Sequence, residues 1–294
     1  MSDTVLEAAP RGLHGVRRTR ARVEIFRQLL RSPSFVVGSI ILLFWIFCAL
    51  FGSLIETQDP LGQNLLAPNA APSLAHWLGT DQLGRDMFSR VIAGSRDILL
   101  ISPLATLLGV ACGTILGLVM GYFGGLVDIL VSRFVEAVLA LPVVIVAFLF
   151  IVAVGHSTIT LILVIGFVFT PLVARTVRSA VLSERGLDYV ASARLRGEGP
   201  LNVMFVEILP NVLAPIIVEL TVRLGYAIFS VATLSFLGFG VQPPTPDWGA
   251  DIFANYGLIT AGFWWETLFP ALAIATLVVA VNLVSDSVDN ALAG

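Results

Sequence analysis

The sequence contains no lysine, three histidines and two cysteines among its 294 residues. A nucleotide-binding P-loop requires a lysine, so the chain has no ATP site of that kind. The HExxH metalloprotease motif, the GxSxG hydrolase motif and paired intramembrane aspartates are missing too. We therefore predict no catalytic residue and no metal site here. Any work driven by ATP must come from a partner.

Charge is scarce as well. Charged residues make up 13% of the chain, against 57% hydrophobic residues and a mean hydropathy of +0.92. Apolar runs of about 18 residues or more are typical of membrane spans. Six candidate spans are 35–55, 98–123, 137–155, 157–174, 208–238 and 268–285. Because backbone amides in lipid must pair within their own helix, these runs predict an all-α, polytopic bundle of six transmembrane helices.

The distribution of arginine predicts the orientation of this bundle. Seven of the 17 arginines precede the first span, five lie within 175–196, and Arg133 follows the second span. The opposite side has only Arg85, Arg90 and Arg96. Since the side rich in arginine is normally cytoplasmic, both termini and residues 175–207 are expected in the cytoplasm.

The spans divide the chain into four parts. Residues 1–34 form a basic cytoplasmic tail, expected to contact anionic membrane lipid and not nucleic acid. Residues 35–55 form the first helix, 56–97 an extracytoplasmic loop, and 98–294 the core domain. Within the loop, the i, i+4 spacing of Asp86 and Arg90 predicts a short amphipathic helix with a surface ion pair.

Four glycines recur at four-residue intervals in the second span. They are Gly109, Gly113, Gly117 and Gly121. This spacing places them on one helix face, and such faces allow another membrane helix to approach closely. We predict that this face packs against a neighbouring helix.

Two ionisable residues lie inside the fifth span, Glu219 and Arg223. Their i, i+4 spacing allows an ion pair. A charge at the bilayer centre costs about 2.5–3.5 kcal/mol on insertion scales, so the pair should face the bundle interior or a wet cavity. Two roles are open, a structural pair between helices and a part of the translocation path.

Between the fourth and fifth spans the sequence predicts a helix, a break and a second helix. Asp188 is expected to cap a first helix over Tyr189–Arg196. Gly197 suits the left-handed position that ends a helix, and Gly199 with Pro200 suits the start of another. A slim helix with basic flanks is shaped to lie in a cleft of another protein.

This connection resembles the cytoplasmic loop of ABC importer permeases, which docks on the ATPase subunit. The family pattern is Glu-Ala-Ala, three residues, Gly, nine residues and Ile-x-Leu-Pro. The matching positions here begin at Ala191, with Gly197, Leu209 and Pro210 in register. Ala191, Ser192 and Glu207 depart from it. The resemblance assigns the ATPase-coupling loop to Asp188, Tyr189, Val190, Ala191, Ser192, Ala193, Arg194, Arg196, Gly197, Leu209 and Pro210.

Three further stretches resemble the C-type permease of the dipeptide, oligopeptide and nickel branch. They are "HWLGTDQLGRDMFSRVIAGSR", "LSFLGFGVQPPTPDWGADI" and "WWETLFPALAIATLVVAVNLVSD". The resemblance runs from about residue 25 to the C-terminus. It departs at residues 285–290, where the usual Gly-Asp-x-Leu-Arg-Asp is absent.

The resemblance implies a type I importer of the bacterial inner membrane. Its partners would be a B-type permease, two ATPase subunits that bind ATP and magnesium, and an extracytoplasmic solute-binding protein. No cofactor is expected in this chain. Peptide is the expected cargo; nickel, a metal chelate or another small solute such as glutathione or an oligosaccharide is the alternative. A passive channel or a membrane-enzyme subunit is the competing class.

Overall fold

The computed structural model describes residues 28–293. The first 27 residues of the basic tail, and the lipid contact expected of them, lie outside this range. Within it the regular structure is helical, with one isolated β-bridge between Thr80 and Asp86. The helices are α1 (Pro33–Ile55), α2 (Met87–Phe123), α3 (Gly125–Leu139), α4 (Val143–Val154), α5 (Thr158–Arg185), α6 (Asp188–Leu195), α7 (Pro200–Asn202), α8 (Leu213–Phe236), α9 (Trp248–Asn255) and α10 (Trp265–Ala293).

Five of these helices, α1, α2, α5, α8 and α10, are long and apolar enough to cross a membrane. The predicted all-α polytopic fold is confirmed. Helices α3 and α4 meet at 90° and make a sixth span only if the bent pair counts as one.

The predicted third span, 137–155, is interrupted. It includes the end of α3, a break at residues 140–142, and α4. Pro142 explains the break, because a residue before proline is disfavoured in the helical conformation. Helix α4 has 12 residues, or about 18 Å, which is less than the roughly 30 Å of a bilayer core.

Successive spans alternate in direction, so their connections lie on two sides. The α9 side comprises residues 56–86, 155–157 and 237–264, and the α6 side comprises residues 124 and 186–212. Three of the long helices continue through an internal proline, at Pro103, Pro171 and Pro270.

Helix α2 is longer than the sequence predicted. The short amphipathic helix expected in the loop is the first part of α2, which runs without a break for 37 residues. Asp86 caps it by accepting a hydrogen bond from the backbone N–H of Ser89 at 2.9 Å. The predicted surface pair of Asp86 with Arg90 is therefore wrong: the Asp86 carboxylate is committed to the cap and to His76.

Arg90 instead pairs with a carboxylate far along the chain. Its Nη2 donates to Asp251 of α9 at 2.5 Å, and both residues are about 2% exposed. Gln82 donates to the side chain of Asn255 at 3.0 Å, and Trp265 donates to the carbonyl of Thr80 at 3.2 Å. These contacts fix the loop after α1 against α9 and the start of α10.

Two apolar clusters form the interior. The larger, toward the α9 side, contains Trp45 and Trp248, whose rings meet edge to face at 4.8 Å. The smaller lies at the α6 side and joins α2, α5, α6 and the segment after α7. This smaller cluster positions the connection that the resemblance assigns to ATPase coupling.

Candidate functional site

The connection between α5 and α8, residues 186–212, begins with α6. The predicted helix is present over Asp188–Leu195, but Asp188 is not its cap. Leu187 occupies the cap position with extended backbone angles and no side-chain hydrogen bond, and Asp188 lies in the first turn. A carboxylate there still interacts favourably with the helix dipole.

The end of α6 depends on Gly197. Its φ is +79°, the left-handed conformation predicted from the sequence. The Gly197 N–H donates to the carbonyl of Arg194 at 3.0 Å, and the Glu198 N–H donates to that of Ala193 at 3.2 Å. These two bonds form a Schellman motif, which satisfies the last carbonyls of the helix.

The second half of the connection is irregular. Gly199 and Pro200 open a helix as predicted, but its α-helical part ends at Asn202. A π-helical stretch follows over Val203–Ile208, and a 3₁₀ turn over Leu209–Asn211. Pro210 has no N–H to donate to the carbonyl four residues earlier, which removes one bond of a regular α-helix at this point.

One face of α6 is buried and the other is open. Val190 and Ala193 are fully buried in the smaller cluster, together with Val181 of α5 and Met204. Leu195 is 89% exposed. The exposed residues of this connection include Ala191 and Ser192, and the large exposed side chains are Leu187, Leu195, Leu201, Phe205 and Val206.

Polar contacts tie α6 to both neighbours. The Tyr189 hydroxyl donates to Glu184 of α5 at 2.6 Å, and burial together with this bond raises the pKa of Tyr189 to about 12. Arg194 lies over the ring of Tyr122 at 4.9 Å. These contacts join α6 to α5 and to the end of α2.

Arg196 joins the two halves of the connection. It pairs with Glu198 at 2.6 Å and with Glu207 at 3.2 Å. Glu207 occupies the position where the family pattern has isoleucine. Its ion pair across the break gives this departure from the pattern a structural role.

The intramembrane pair is formed as its spacing predicts. Arg223 Nε donates to Glu219 Oε2 at 2.8 Å, and Thr176 of α5 donates to the other carboxylate oxygen at 2.6 Å. Arg223 also lines a cavity of about 330 Å³ between α4, α5 and α8, with Tyr226 and Thr233 among its walls. One side of the pair thus contacts a neighbouring helix, and the other faces open space.

The four glycines of α2 all face α5. A Cβ added at Gly113 would lie 2.6 Å from the Cβ of Val173, and one at Gly117 would lie 2.7 Å from the carbonyl oxygen of Ala174. Gly109 and Gly121 meet Phe169 and Val181 at similar distances. The two backbones therefore approach along this face more closely than any larger residue would allow.

Sequence reasoning also missed a contact between α5 and α3. Arg178 of α5 donates to both carboxylate oxygens of Asp128 on α3, at 2.5 and 2.6 Å. In the sequence Arg178 was informative only for topology, and nothing pairs it with a residue 50 positions away. Among the described residues, no group of three or more His, Cys, Asp or Glu is arranged to hold a metal ion.

Comparison with known proteins places this arrangement in a family. Residues 113–293 match the model of the binding-protein-dependent transport system inner membrane component. Residues 22–72 match the N-terminal transmembrane domain of oligopeptide transport permease C. The chain belongs to this family of importer permeases. The resemblance to C-type permeases is thereby confirmed.

Named relatives extend along nearly the whole chain. The dipeptide transport system permease protein DppC of Haemophilus influenzae is 36% identical over 99% of this chain and 98% of its own length. The glutathione transport system permease protein GsiD of Pectobacterium atrosepticum is 34% identical over 92% of this chain and 89% of its own.

The fold is also that of a solved permease. An inward-facing structure of the MetNI methionine ABC transporter matches 70% of this chain and 97% of its own, with a TM-score of 0.56 and 19% identity. The chain is therefore a multi-pass inner-membrane permease subunit of an ABC importer. Such a permease is not itself an enzyme and works with ATPase and binding-protein partners.

Proposed function

We propose that this chain is the C-type permease of an importer that moves dipeptides and oligopeptides across the inner membrane by alternating access. It would pair with a B-type permease, above two ATPase subunits that bind ATP and magnesium. The observation that supports peptide as the cargo is the 36% identity to a dipeptide permease along 99% of the chain.

The exposed face of α6 fits the ATPase contact. Ala191 and Ser192 are small and exposed, and Leu195 adds an apolar side chain that nothing in the described chain covers. Closure of the ATPases on ATP would move α6, and the shared cluster would carry α5 with it. The bundle would then open outward to accept cargo, and hydrolysis would reset it.

The orientation follows from the arginine distribution. When Arg223 of the intramembrane pair is left out and each other arginine within a span is assigned to the nearer end of that span, thirteen lie in the N-terminal segment or toward the α6 side, and Arg85, Arg90 and Arg96 lie toward the α9 side. The α6 side and both termini would face the cytoplasm, and the α9 side would face the binding protein.

The cavity beside Arg223 is a candidate part of the path. Its walls are mostly aliphatic and aromatic, and three hydroxyl groups and one guanidinium supply polar groups for the backbone of a peptide. Glu219→Gln separates the two roles of the pair. A stable complex with altered cargo selectivity supports the path, whereas a lower yield of complex without altered selectivity supports a structural pair.

The cargo is tested by ATP-driven uptake. The permease pair, the ATPases and the cognate binding protein are reconstituted in proteoliposomes, with labelled alanyl-alanine, labelled glutathione and ⁶³Ni²⁺ as substrates. We expect uptake of the dipeptide that requires both ATP and the binding protein.

The other two labelled substrates test the alternative cargoes. Preferential uptake of glutathione would follow the second named relative, and uptake of nickel would indicate a metal importer. Flux without ATP would indicate a channel. Any of these results, without dipeptide uptake, would contradict the proposal.

A further inference from the structure

The broken span α3–α4 starts at two glycines with unusual backbone angles. Gly124 has φ +63° and Gly125 has φ +54°. A Cβ added at Gly125 would meet nothing within 4 Å, whereas one at Gly124 would lie 2.6 Å from Nη1 of Arg185 at the end of α5. Two consecutive glycines in this conformation give the chain a turn at which α3 can change direction relative to α2.

Helix α3 itself is weakly packed. Val135 is its one buried residue, while Leu126 and Leu130 are 77% and 68% exposed. A helix with few buried apolar contacts is held less firmly than the core of the bundle. Its position therefore depends strongly on whatever specific contacts remain.

One polar contact fixes α3 to the rest of the described bundle. Arg178 donates hydrogen bonds from Nε and Nη2 to the carboxylate of Asp128. The side chain of Arg178 is 32% exposed and that of Asp128 is 15% exposed. Within residues 28–293, these are the only side-chain hydrogen bonds between α3 and another helix. A bidentate guanidinium–carboxylate pair fixes orientation as well as distance.

The two partners of this pair belong to different functional parts. Arg178 lies two turns before the end of α5, whose last turns share the smaller cluster and the Tyr189–Glu184 bond with α6. Asp128 lies in the first turn of α3. Helix α4, which follows α3 in the same bent span, contributes Ala147 to the wall of the cavity beside Arg223. The pair thus connects the unit expected to contact the ATPase with a wall of the expected path.

We propose that Asp128 and Arg178 are positioning residues that carry the movement of the α5–α6 unit to the α3–α4 span. The proposal rests on the proposed function, since it presumes an ATPase acting on α6. With the pair intact, α3 turns at Gly124–Gly125 whenever α5 moves. Without it, α5 and α6 still respond to ATP but α3–α4 no longer follows.

The test compares Asp128→Asn with two matched variants in the complete reconstituted complex. Asparagine keeps the size of the side chain and removes its charge, and Arg178→Gln breaks the pair from the other side. Asp128→Glu keeps the carboxylate. Glu136→Gln is the control: it removes the Arg133–Glu136 pair at 2.9 Å on the same helix, where both side chains are more than 60% exposed.

The readout is the number of dipeptides transported per ATP hydrolysed. We expect about a tenfold or larger fall in this ratio for Asp128→Asn and Arg178→Gln, the scale of losing a charge-assisted bidentate bond. ATP hydrolysis stimulated by the binding protein should persist. Asp128→Glu should recover most of the ratio, and Glu136→Gln should match the wild type.

Several results would overturn the proposal. An unchanged ratio in Asp128→Asn would do so, as would the failure of both charge-neutral variants to assemble, which would make the pair purely structural. An equal loss of ratio in Glu136→Gln would show that the effect is not specific to the pair. The variants are compared only if the wild-type complex takes up dipeptide. A wild-type complex without ATP-driven uptake would contradict the proposed function and not the role of this pair.

Discussion

Gly197 determines where α6 ends. Only glycine adopts a φ of +79° without a steric penalty, and a β-branched residue is strained there by about 1–3 kcal/mol. No neighbouring atom lies within 4 Å of an added Cβ, so the effect of substitution comes from the backbone alone.

We therefore predict that Gly197→Val leaves the permease in the membrane but lowers transport and the ATPase activity coupled to it. The matched control is Gly186→Val, in the same connection, where φ is −83° and the space is equally open. Membrane yield and ATP-driven uptake are measured for both. Normal uptake and ATP turnover in Gly197→Val would refute the assignment of α6 as the coupling helix.

Asp247 links stability to pH on the α9 side. It caps α9 through the N–H of Ala250 at 2.9 Å and accepts from Ser235 at 3.0 Å. Burial raises the pKa of its carboxyl from 3.8 to about 6. The folded chain therefore binds this proton more tightly than the unfolded chain, and the stabilising contribution falls as pH rises from about 4 through 6.

Asp247→Asn should remove this dependence. Relative to the variant, the wild type should lose on the order of 2–3 kcal/mol between pH 4 and pH 7, as a shift of about two pKa units implies. Thermal unfolding in detergent across this range measures the difference, with the exposed Asp289→Asn as control. A wild type that gains stability relative to Asp247→Asn as pH rises would contradict the assigned pKa.

At the scale of elements, the seam between α2 and α5 is a close contact between two helix backbones. Four glycines at one-turn intervals let the two backbones meet, because membrane helices gain from close packing and not from a hydrophobic effect. Gly113 is the tightest of the four positions, because three atoms of Val173 and Thr170 would lie under 3 Å from an added Cβ.

Gly113→Leu should separate these helices. Overpacking costs about 1–3 kcal/mol or more, so we predict a lower unfolding temperature and a lower yield of folded protein. Ala111→Leu, two residues away at an exposed position of α2, should behave as the wild type. Equal stability of the two variants, measured by size-exclusion chromatography on heating, would show that the seam is not needed.

The extent of sequence-based prediction differs between elements for physical reasons. Long apolar runs report burial in lipid, so α1, α2, α5, α8 and α10 were found from hydropathy. Hydropathy does not show the break at residues 140–142, because one proline changes the mean of an apolar run only slightly, although Pro142 itself permits a kink there. The π-helical stretch before Pro210 was missed, because no residue in it distinguishes a π-turn from an α-turn.

Contacts between distant residues were the least predictable. Arg90 was assigned to Asp86 by helical spacing, yet its partner is Asp251, 161 positions away. The Asp128–Arg178 pair was not predicted either, because the two residues are 50 positions apart. Gly197 and the pair of Glu219 with Arg223 were predictable, because a helix stop and an i, i+4 pair depend on local geometry alone.

On the scale of the whole molecule, the two sides differ in how their ion pairs are buried. The α9 side contains the buried pair Arg90–Asp251, whereas Arg196 of the α6-side pair with Glu198 is more than half exposed. Both sides also expose large apolar side chains, such as Leu74 on the α9 side and Leu195 on the α6 side. Two surfaces of this kind agree with an importer permease that has one partner on each side.

The central claim is that α6 contacts the ATPase. The most direct test is a single cysteine at Ser192, in a chain whose Cys48 and Cys112 are replaced by alanine, crosslinked within the assembled complex by a short bifunctional maleimide. A cysteine at the exposed Thr260 on the α9 side is the control. We predict a crosslink to the ATPase from residue 192 and none from residue 260. A crosslink from residue 260 alone would place the ATPase on the opposite side and contradict both the orientation and the role of α6.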